Sequence, residues 1–364
     1  MKEYHYNQSL ADKLTILLPL KGRPLFTLRY FLYMEEVQCP FKIFIADGSL
    51  NEENKNIIDE NKHRFPHVNF EYHRFPPDNT ILDFTKKMAG ALNLIRTPYV
   101  VENSNDDFYV IDTIIKSIEF LEQDVKKEYV ACGGAKYTFE TKDGLAFNPI
   151  RHITPILYNN YYREGAVTNN VALDRVLLQM PFKYPFIQYD VLRTLCLRNA
   201  YDLLWKNKIC NLIVSEYFTV RYLISLGKRH LVNAEYLYSQ LFVSVWKQRF
   251  FLELVLEDNF SENHNQCMRL LAEKICGDDA NRIGAVEQQL KEKWLQSINP
   301  KTFIDFLRFQ NVMATDFMLQ FRNFVRKLLK FKQFIKIPLR SCKTLKVIKD
   351  LMHRYSSFNE NVKN

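Results

Sequence analysis

The stretch that decides the fold is KLTILLPLKGRP at residues 13–24, followed about 25 residues further on by FKIFIADGS at residues 41–49. Both runs are almost continuously apolar, whereas a strand with one solvated face alternates apolar and polar residues. Each run then gives way to polar residues. Strands that are buried on both faces are typical of a parallel sheet covered by helices, so these two runs predict an α/β fold.

The same alternation of apolar runs and helix-period stretches continues through the first half of the chain. Strands are predicted at residues 14–20, 41–46, 68–72, 99–102 and 129–132, and helices at residues 25–37, 52–62, 82–95 and 111–123. Pro24 stands near a first helical turn and Pro98 ends the third helix. The expected architecture is a mostly parallel, Rossmann-like sheet flanked by helices, with its ligands at the carboxyl ends of the strands.

The second half is harder to interpret from periodicity. Residues 136–200 are rich in Tyr, Asn and Arg, and we expect short strands, loops and a helix near residues 189–201 there, together with acceptor contacts. A strand at 211–214, a helix at 217–225 and a strand at 229–234 are predicted next. Helical patterns dominate beyond Ser239, so we expect a catalytic domain at residues 1–239 and a helical C-terminal region at residues 240–364.

Composition narrows the class of protein. Hydrophobic residues make up 47% and charged residues 25% of the 364 residues, which is the balance of a folded soluble chain. Seven scattered cysteines without CxxC spacing indicate neither a disulfide framework nor a zinc cluster. The N-terminus has no apolar signal-peptide core and no apolar run reaches the roughly 20 residues of a spanning helix, so a cytoplasmic protein is expected.

The net charge of +9 is concentrated near the C-terminus, because residues 322–349 contain ten Lys or Arg and no Asp or Glu. Apolar residues recur at helical spacing from Phe321 to Pro338, which predicts a basic amphipathic helix. Such a helix either docks on the anionic inner face of the cytoplasmic membrane or packs on the catalytic domain with its basic face in water. Nucleic-acid binding is not expected.

An acidic turn carries the clearest chemical signal. In TPYVVENSNDDFYV, residues 97–110, the polar residues Asn105, Asp106 and Asp107 follow a buried strand and precede a helix. Mg²⁺ and Mn²⁺ take oxygen ligands, often one or two carboxylates together with phosphate and water. The turn therefore predicts a metal that clamps a diphosphate, the alternative being that the two aspartates only cap the following helix.

These segments, in this order, together with VSEYFTVRYLISLGKRHL at residues 214–231, resemble inverting GT-A glycosyltransferases of the family 2 type. Within that family the resemblance is to a bacterial group whose metal turn is of the A-D-D-D-F kind. It covers residues 14–239, nearly two thirds of the chain. The implied fold is a GT-A type α/β domain, here with a C-terminal helical extension.

The resemblance assigns a donor site to the ends of the first two strands. The strand-end Asp47 would contact the nucleotide base, whose pocket Leu18 and Pro19 would line, with cationic phosphate partners following the first strand. Asp-Gly-Ser is also an ordinary turn, and Arg23 is equally well explained as a solvated charge. The residues assigned to the donor are Leu18, Pro19, Lys21, Arg23, Asp47, Ser49, Asn105 and Asp106.

The family's D-x-D metal motif places Asn105 at its first position, Asp106 in the middle and Asp107 last. The chain departs from the motif at Asn105, since a neutral amide replaces a carboxylate. Asn105 would accept from ribose or water, and Asp107 would be the principal ligand of a Mn²⁺ or Mg²⁺ ion that binds more weakly than in the family. The alternative is a variant of this family that works without a metal ion.

The family's catalytic base is the second acid of an acidic pair on a strand-to-helix turn, and Ser215–Glu216 falls on that pair. Glu216 is therefore the candidate general base, which removes the proton of the acceptor hydroxyl. The alternative is a first-turn glutamate stabilised by the helix dipole. Asp190 is the reserve candidate.

The resulting functional hypothesis is a transferase that moves a sugar from a nucleotide donor, UDP-sugar favoured, to a hydroxyl of a surface glycan or lipid-linked acceptor. The transfer would be inverting and metal-assisted. A catalytically silent homologue that acts as a binding subunit is one alternative, because of Asn105 and Ser215. A nucleotidyltransferase is another, although its first loop ordinarily is longer and richer in Gly than Lys21–Pro24.

Overall fold

The computed structural model describes residues 7–141, 144–155, 165–179, 187–240, 258–297 and 343–355. Its strands are β1 Leu14–Leu20, β2 Lys42–Asp47, β3 Phe70–Arg74, β4 Tyr99–Glu102, β5 Phe108–Tyr109, β6 Tyr129–Thr141, β7 Ile150–Pro155, β8 Val191–Arg193 and β9 Lys228–Gln240. Its α-helices are α1 Gln8–Ala11, α2 Pro24–Glu36, α3 Glu53–Asn61, α4 Ile81–Leu94, α5 Ile111–Gln123, α6 Ala172–Leu178, α7 Thr194–Lys206, α8 Leu212–Leu226, α9 Asp258–Cys276, α10 Ala280–Ser297 and α11 Lys343–Arg354.

All the strands belong to one sheet, in the order β3-β2-β1-β4-β8-β6-β9-β5, with β7 paired to β6. The first four strands are mutually parallel, and β1 pairs with both β2 and β4. Leu20, the last residue of β1, stands beside Asp47, the last residue of β2. Because parallel strands end at the same edge, the polar segments that follow β1, β2 and β4 lie at one edge of the sheet.

Helices cover both faces of this sheet, which explains the apolar continuity of its strands. In β1, Ile16 and Leu18 point into a core shared with α2, α5 and α11, whereas Leu17 points into a core shared with α4, α7, α8, α9 and α10. These β1 side chains are fully buried, and burying one side chain of this size stabilises the fold by roughly 1.5–3 kcal/mol. The α/β class predicted from the sequence is confirmed.

The second half of the sheet is mixed rather than parallel. Strand β8 runs antiparallel to both β4 and β6, and β6 is parallel to the equally long β9. The strand β8 and the helix α7, which begins at Thr194, replace the single helix predicted near residues 189–201. A three-residue strand flanked by a helix leaves no period long enough to read from the sequence.

The strand predicted at residues 211–214 is wrong. Asn211 is the N-cap of α8, and its side chain accepts a hydrogen bond from the Val214 backbone N–H at 3.2 Å. The apolar residues after Asn211 form the first turn of a buried helix, a case that periodicity alone does not separate from a short strand. Glu216 consequently lies within the helix rather than on a strand-to-helix turn.

The helical pattern predicted beyond Ser239 appears in the described residues as α9, α10 and α11. Helix α9 packs on α8 and α10, and α11 packs on α2 through the buried side chains of Ile348, Leu351 and Met352. The basic amphipathic helix predicted at residues 321–338 lies outside the described residues. The division at residues 239 and 240 stays a prediction.

No helix within the described ranges combines the length and the apolar character that crossing a bilayer requires.

Two glycines of β6 stand where the sheet is most crowded. A Cβ added to Gly133 would lie 2.1 Å from Asp190 Oδ1, and one added to Gly134 would lie 2.7 Å from the Ala234 carbonyl oxygen of β9. The crowding comes from a buried carboxylate and from a neighbouring strand.

We expect Gly133→Ala to destabilise the protein by about 1–3 kcal/mol, because the added methyl group forces the Asp190 carboxylate out of its place. Urea denaturation followed by circular dichroism measures the loss. Gly165→Ala is the matched control, since a Cβ there meets no atom within 4 Å. Equal stability of the two variants would contradict this account of Gly133.

Candidate active site

A cavity of about 360 Å³ opens at the edge where β1 and β4 end. Its wall combines the segment after β1, the acidic turn after β4, and residues of α4, α7, α8 and the end of β9. The sequence-predicted residues on this wall are Pro19, Lys21, Arg23, Asp106, Asp107 and Glu216. The acidic turn and the candidate base therefore lie on one cavity, although Asp106 and Glu216 are 110 positions apart in the chain.

Arg23 holds the acidic turn. Its Nη1 donates to Asp106 Oδ2 at 2.8 Å and its Nη2 donates to Asn105 Oδ1 at 2.6 Å. Arg23 is the N-cap of α2 and has left-handed backbone geometry, with φ at 60°. This conformation costs a residue with a Cβ about 1–3 kcal/mol, so the contacts of Arg23 must outweigh that strain.

Asn105 turns away from the cavity. Its Nδ2 donates to Thr27 Oγ1 at 3.0 Å, and Asn105 is not among the residues that line the cavity. The predicted contact between Asn105 and ribose does not match this geometry. The amide instead joins the acidic turn to α2.

Asp107 is buried at the cavity wall, and its Oδ1 accepts from the Gln240 backbone N–H at 3.2 Å. Burial, and then the neighbouring charge of Asp106, raise the pKa of Asp107 well above its ordinary value. The carboxylate predicted to be the principal metal ligand thus lies in a site that disfavours its charged form.

The turn as it stands does not fit a two-carboxylate metal site. The Asp106 carboxylate already binds a guanidinium, and the Asn105 oxygen binds the same guanidinium. The remaining carboxylate, Asp107, accepts a backbone hydrogen bond. A divalent ion would have to displace Arg23 before it reached more than one carboxylate of this turn.

Glu216 lies on α8 with an exposed side chain at the cavity. Beside it the sequence analysis missed a second carboxylate, Glu102, at the end of β4. Tyr201 of α7 donates its hydroxyl to Glu102 Oε2 at 2.9 Å. Burial raises the pKa of Glu102 to about 7, the hydrogen bond from Tyr201 lowers it, and the charge of Glu216 raises it. The sequence contained one indication of this residue: Glu102 is the only charged residue of the strand β4, whose other residues are Tyr, Val and Val.

Asp190, the reserve base, is completely buried and does not line the cavity. Its carboxylate binds Lys136 Nζ at 2.8 Å and Arg229 Nε at 2.6 Å. A carboxylate held by two buried cations cannot reach an acceptor hydroxyl. Asp190 is better explained as the centre of an ion cluster that ties β6 to β9.

Three more of the residues assigned to the donor lie off the cavity wall, namely Leu18, Asp47 and Ser49. Leu18 is a core residue. Asp47 is completely buried, accepts from the Ser49 backbone N–H at 2.8 Å, and binds Tyr72 Oη at 2.5 Å and Arg74 Nη1 at 3.2 Å. Asp47 and Ser49 thus form a hydrogen-bonded turn, which is the alternative interpretation of the Asp-Gly-Ser segment. Asp47 also holds the neighbouring strand β3 through Tyr72 and Arg74.

An ion pair that sequence analysis missed closes the other side of the cavity. Lys87 of α4 pairs with Asp78, and its Nζ also donates to the Leu20 carbonyl at 3.1 Å. Lys21 donates to the Asp78 carbonyl oxygen. The sequence contained one indication of this pair: Lys87 stands next to the apolar Met88 in α4, and both residues are buried.

Neighbours of this chain are found among solved structures. No family model matches the chain, and no curated protein matches it. Among solved structures, TarS of S. aureus is similar with a TM-score of 0.46 and 13% identity, over 78% of this chain and 43% of the TarS chain. The chain thus spans less than half the length of TarS.

Two structures of the 1–349 piece of TarS are similar over 78% of this chain. The complex with UDP-GlcNAc has a TM-score of 0.43 at 15% identity over 71% of that piece. The complex with UDP has a TM-score of 0.43 at 14% identity over 70% of it.

The raised pKa of Glu102 predicts a stability that depends on pH. Between the ordinary carboxyl pKa and about 7, the native state holds a proton on Glu102 that the unfolded state has lost, so stability falls as pH rises through this window. The loss is on the order of 3 kcal/mol. Urea denaturation from pH 4.5 to pH 8 checks it, and Glu102→Gln should lose much less stability over this range.

Glu119→Gln is the control for that measurement, because Glu119 is an exposed glutamate of α5. Its stability should follow that of the wild type at every pH. If Glu102→Gln kept the full pH dependence of the wild type, the titrating group would be another residue.

Proposed function

We propose that the protein is a glycosyltransferase that moves a sugar from a nucleoside-diphosphate donor, UDP-sugar favoured, to an acceptor hydroxyl with inversion at the anomeric carbon. One observation carries the proposal: the acidic turn with its arginine and the exposed carboxylate of Glu216 line a single cavity at the carboxyl edge of parallel strands. A diphosphate and an alcohol have suitable partners there.

The donor side of the proposed site is cationic. Lys21 and Arg23 line the cavity directly after β1, at the N-terminus of the 13-residue helix α2. Two side-chain cations and a helix N-terminus are suited to a phosphate group. In the reaction, negative charge grows on the departing diphosphate, and these groups would stabilise it.

The acceptor side is the wall formed by α8. The Glu216 carboxylate would accept the proton of the acceptor hydroxyl while that oxygen forms its bond to the anomeric carbon. The bond between the anomeric carbon and the diphosphate oxygen breaks in the same step, and the diphosphate leaves with the electron pair. Attack on the face opposite the leaving group inverts the anomeric centre.

The Mn²⁺ or Mg²⁺ ion predicted from the sequence enters none of these steps, because Arg23 already binds the carboxylate of Asp106. The acceptor class, a surface glycan or a lipid-linked glycan, and a cytoplasmic place at the inner membrane face stay part of the proposal. They rest on the sequence alone.

A binding subunit without catalysis is the second candidate. It is favoured by Asn105, whose amide is used to hold α2 rather than to contact a ligand. This protein would bind a nucleotide sugar in the same cavity without turning it over. Transfer or hydrolysis of the donor therefore separates the two functions.

We expect Glu216→Gln to lower the rate of donor turnover by roughly 10²-fold or more, the contribution typical of a general base. Binding of UDP should change little, since Gln keeps the size of the side chain. Release of UDP from a panel of UDP-, GDP- and CDP-sugars measures turnover, and isothermal titration calorimetry measures binding.

Two further variants make this test specific. Glu119→Gln should leave turnover unchanged. Asp190→Asn should lower the stability of the fold by roughly 3–5 kcal/mol, because it leaves two buried cations without their carboxylate. Full turnover by Glu216→Gln would exclude Glu216 as the base, and wild-type binding of a nucleotide sugar without any turnover would favour the binding subunit.

A further inference from the structure

The cation that the acidic turn binds is a side chain of the same protein. The guanidinium of Arg23 spans Asp106 and Asn105, with its Nη2 also 3.4 Å from Ser104 Oγ. Three oxygen-bearing side chains of the turn thus surround one guanidinium. The side chain of Arg23 is 17% exposed, and Arg23 lines the cavity, so the guanidinium is reached from it.

A second arginine stabilises the same turn from behind. Arg29 of α2 is completely buried, and its Nη2 donates to the Asp106 carbonyl oxygen at 3.0 Å. Burial lowers the pKa of Arg29 to about 9, and the charges of Asp106 and Asp107 raise it. Arg29 therefore keeps its positive charge at neutral pH and lies against the backbone of the turn.

The turn thus already has two cationic neighbours from the same chain, Arg23 and Arg29. A divalent ion added beside them would bring two more positive charges into a largely buried site, which is costly in a region of low dielectric constant. The diphosphate of a donor, by contrast, would bring negative charge to a turn that already holds fixed cations.

Local geometry keeps the guanidinium in place. The left-handed backbone of Arg23 is followed by Pro24 at the start of α2, which restricts its backbone. The guanidinium carbon also lies 5.3 Å from the centroid of the Phe26 ring. Strained residues of this kind persist where the surroundings fix them, and they are concentrated at functional sites.

We propose that Arg23 takes the place of the divalent ion at the Asn105–Asp106 turn and binds the diphosphate of the donor, so that nucleotide binding needs no metal. The inference rests on the proposed function for the identity of the donor. A guanidinium binds phosphate through two parallel N–H groups, a geometry that lysine does not reproduce. Arg23 is then the residue that adapts this site to an incomplete metal motif.

The first experiment measures UDP binding to the full chain by isothermal titration calorimetry, once with EDTA and once with Mn²⁺. The wild type should bind UDP equally in both. Arg23→Ala should weaken binding in EDTA by roughly 10- to 100-fold, as expected for the loss of charge-assisted hydrogen bonds. Arg23→Lys should lie between the two, and Arg96→Ala, which removes an exposed arginine, should match the wild type.

The second experiment titrates ligand-free protein with Mn²⁺ and follows the signal of free Mn²⁺ by electron paramagnetic resonance. The wild type should leave the ion free, whereas Arg23→Ala should bind it, because the substitution exposes the carboxylate of Asp106. Circular dichroism of each variant shows whether it is folded. These readouts do not depend on turnover.

The inference is overturned if the ligand-free wild type binds Mn²⁺ as tightly as Arg23→Ala does. It is also overturned if UDP binds to the wild type only when Mn²⁺ is present. A wild type that binds no UDP in either buffer overturns the proposed function and the phosphate-binding role of Arg23. In that case the Mn²⁺ titration still decides whether Arg23 occupies the place of the metal ion, so the two failures are distinguishable.

Discussion

The parallel pairing of β1 with β2 on one side and with β4 on the other is the constraint on which the site depends. The register that sets Leu20 beside Asp47 also brings the segment after β1 next to the turn after β4. Arg23 and Asp106, which are 83 residues apart in the chain, meet at 2.8 Å for this reason. A change of register by one residue would exchange the two buried faces of β1 and separate the two charges.

The charges of the site are arranged in layers of decreasing exposure. Glu216 faces the cavity, Arg23 and Asp106 line it with little exposure, and Asp190 is completely buried with two cations. Charges that have lost their hydration must be paired, and the deepest one has the most complete set of partners. Chemistry that moves a proton or a leaving group therefore belongs to the outer layer, and the inner layer fixes the strands.

The first four strands and their helices are predictable from the sequence because they are long apolar runs of regular period. The strand predicted at residues 14–20 and the helix predicted at residues 111–123 coincide with β1 and α5. The errors fall where periods are short. Asn211 caps a helix that reads as a strand, and β8 is too short to show a period.

The residues of the candidate site were predictable to a smaller extent. Residue type pointed to Asp106 and Asp107, and the family resemblance pointed to Arg23 and Glu216; the structure places these four residues on the cavity. Sequence does not reveal which neighbour a polar side chain chooses, so the hydrogen bond of Asn105 to Thr27 and the cluster around Asp190 were unforeseen. Glu102 was missed because a single glutamate at the end of a strand has no motif around it.

The two glutamates of the cavity illustrate how environment, more than residue type, assigns a chemical role. Glu102 is buried beneath Tyr201, and burial raises its pKa to about 7, well above the ordinary value of a glutamate. Glu216, by contrast, is exposed on α8 at the cavity. Two neighbouring carboxylates ionise together only at a cost, which is lowest when the buried one keeps the proton. This arrangement makes Glu216, the carboxylate exposed at the cavity, the better candidate for the proposed base, while Glu102 shapes the wall behind it.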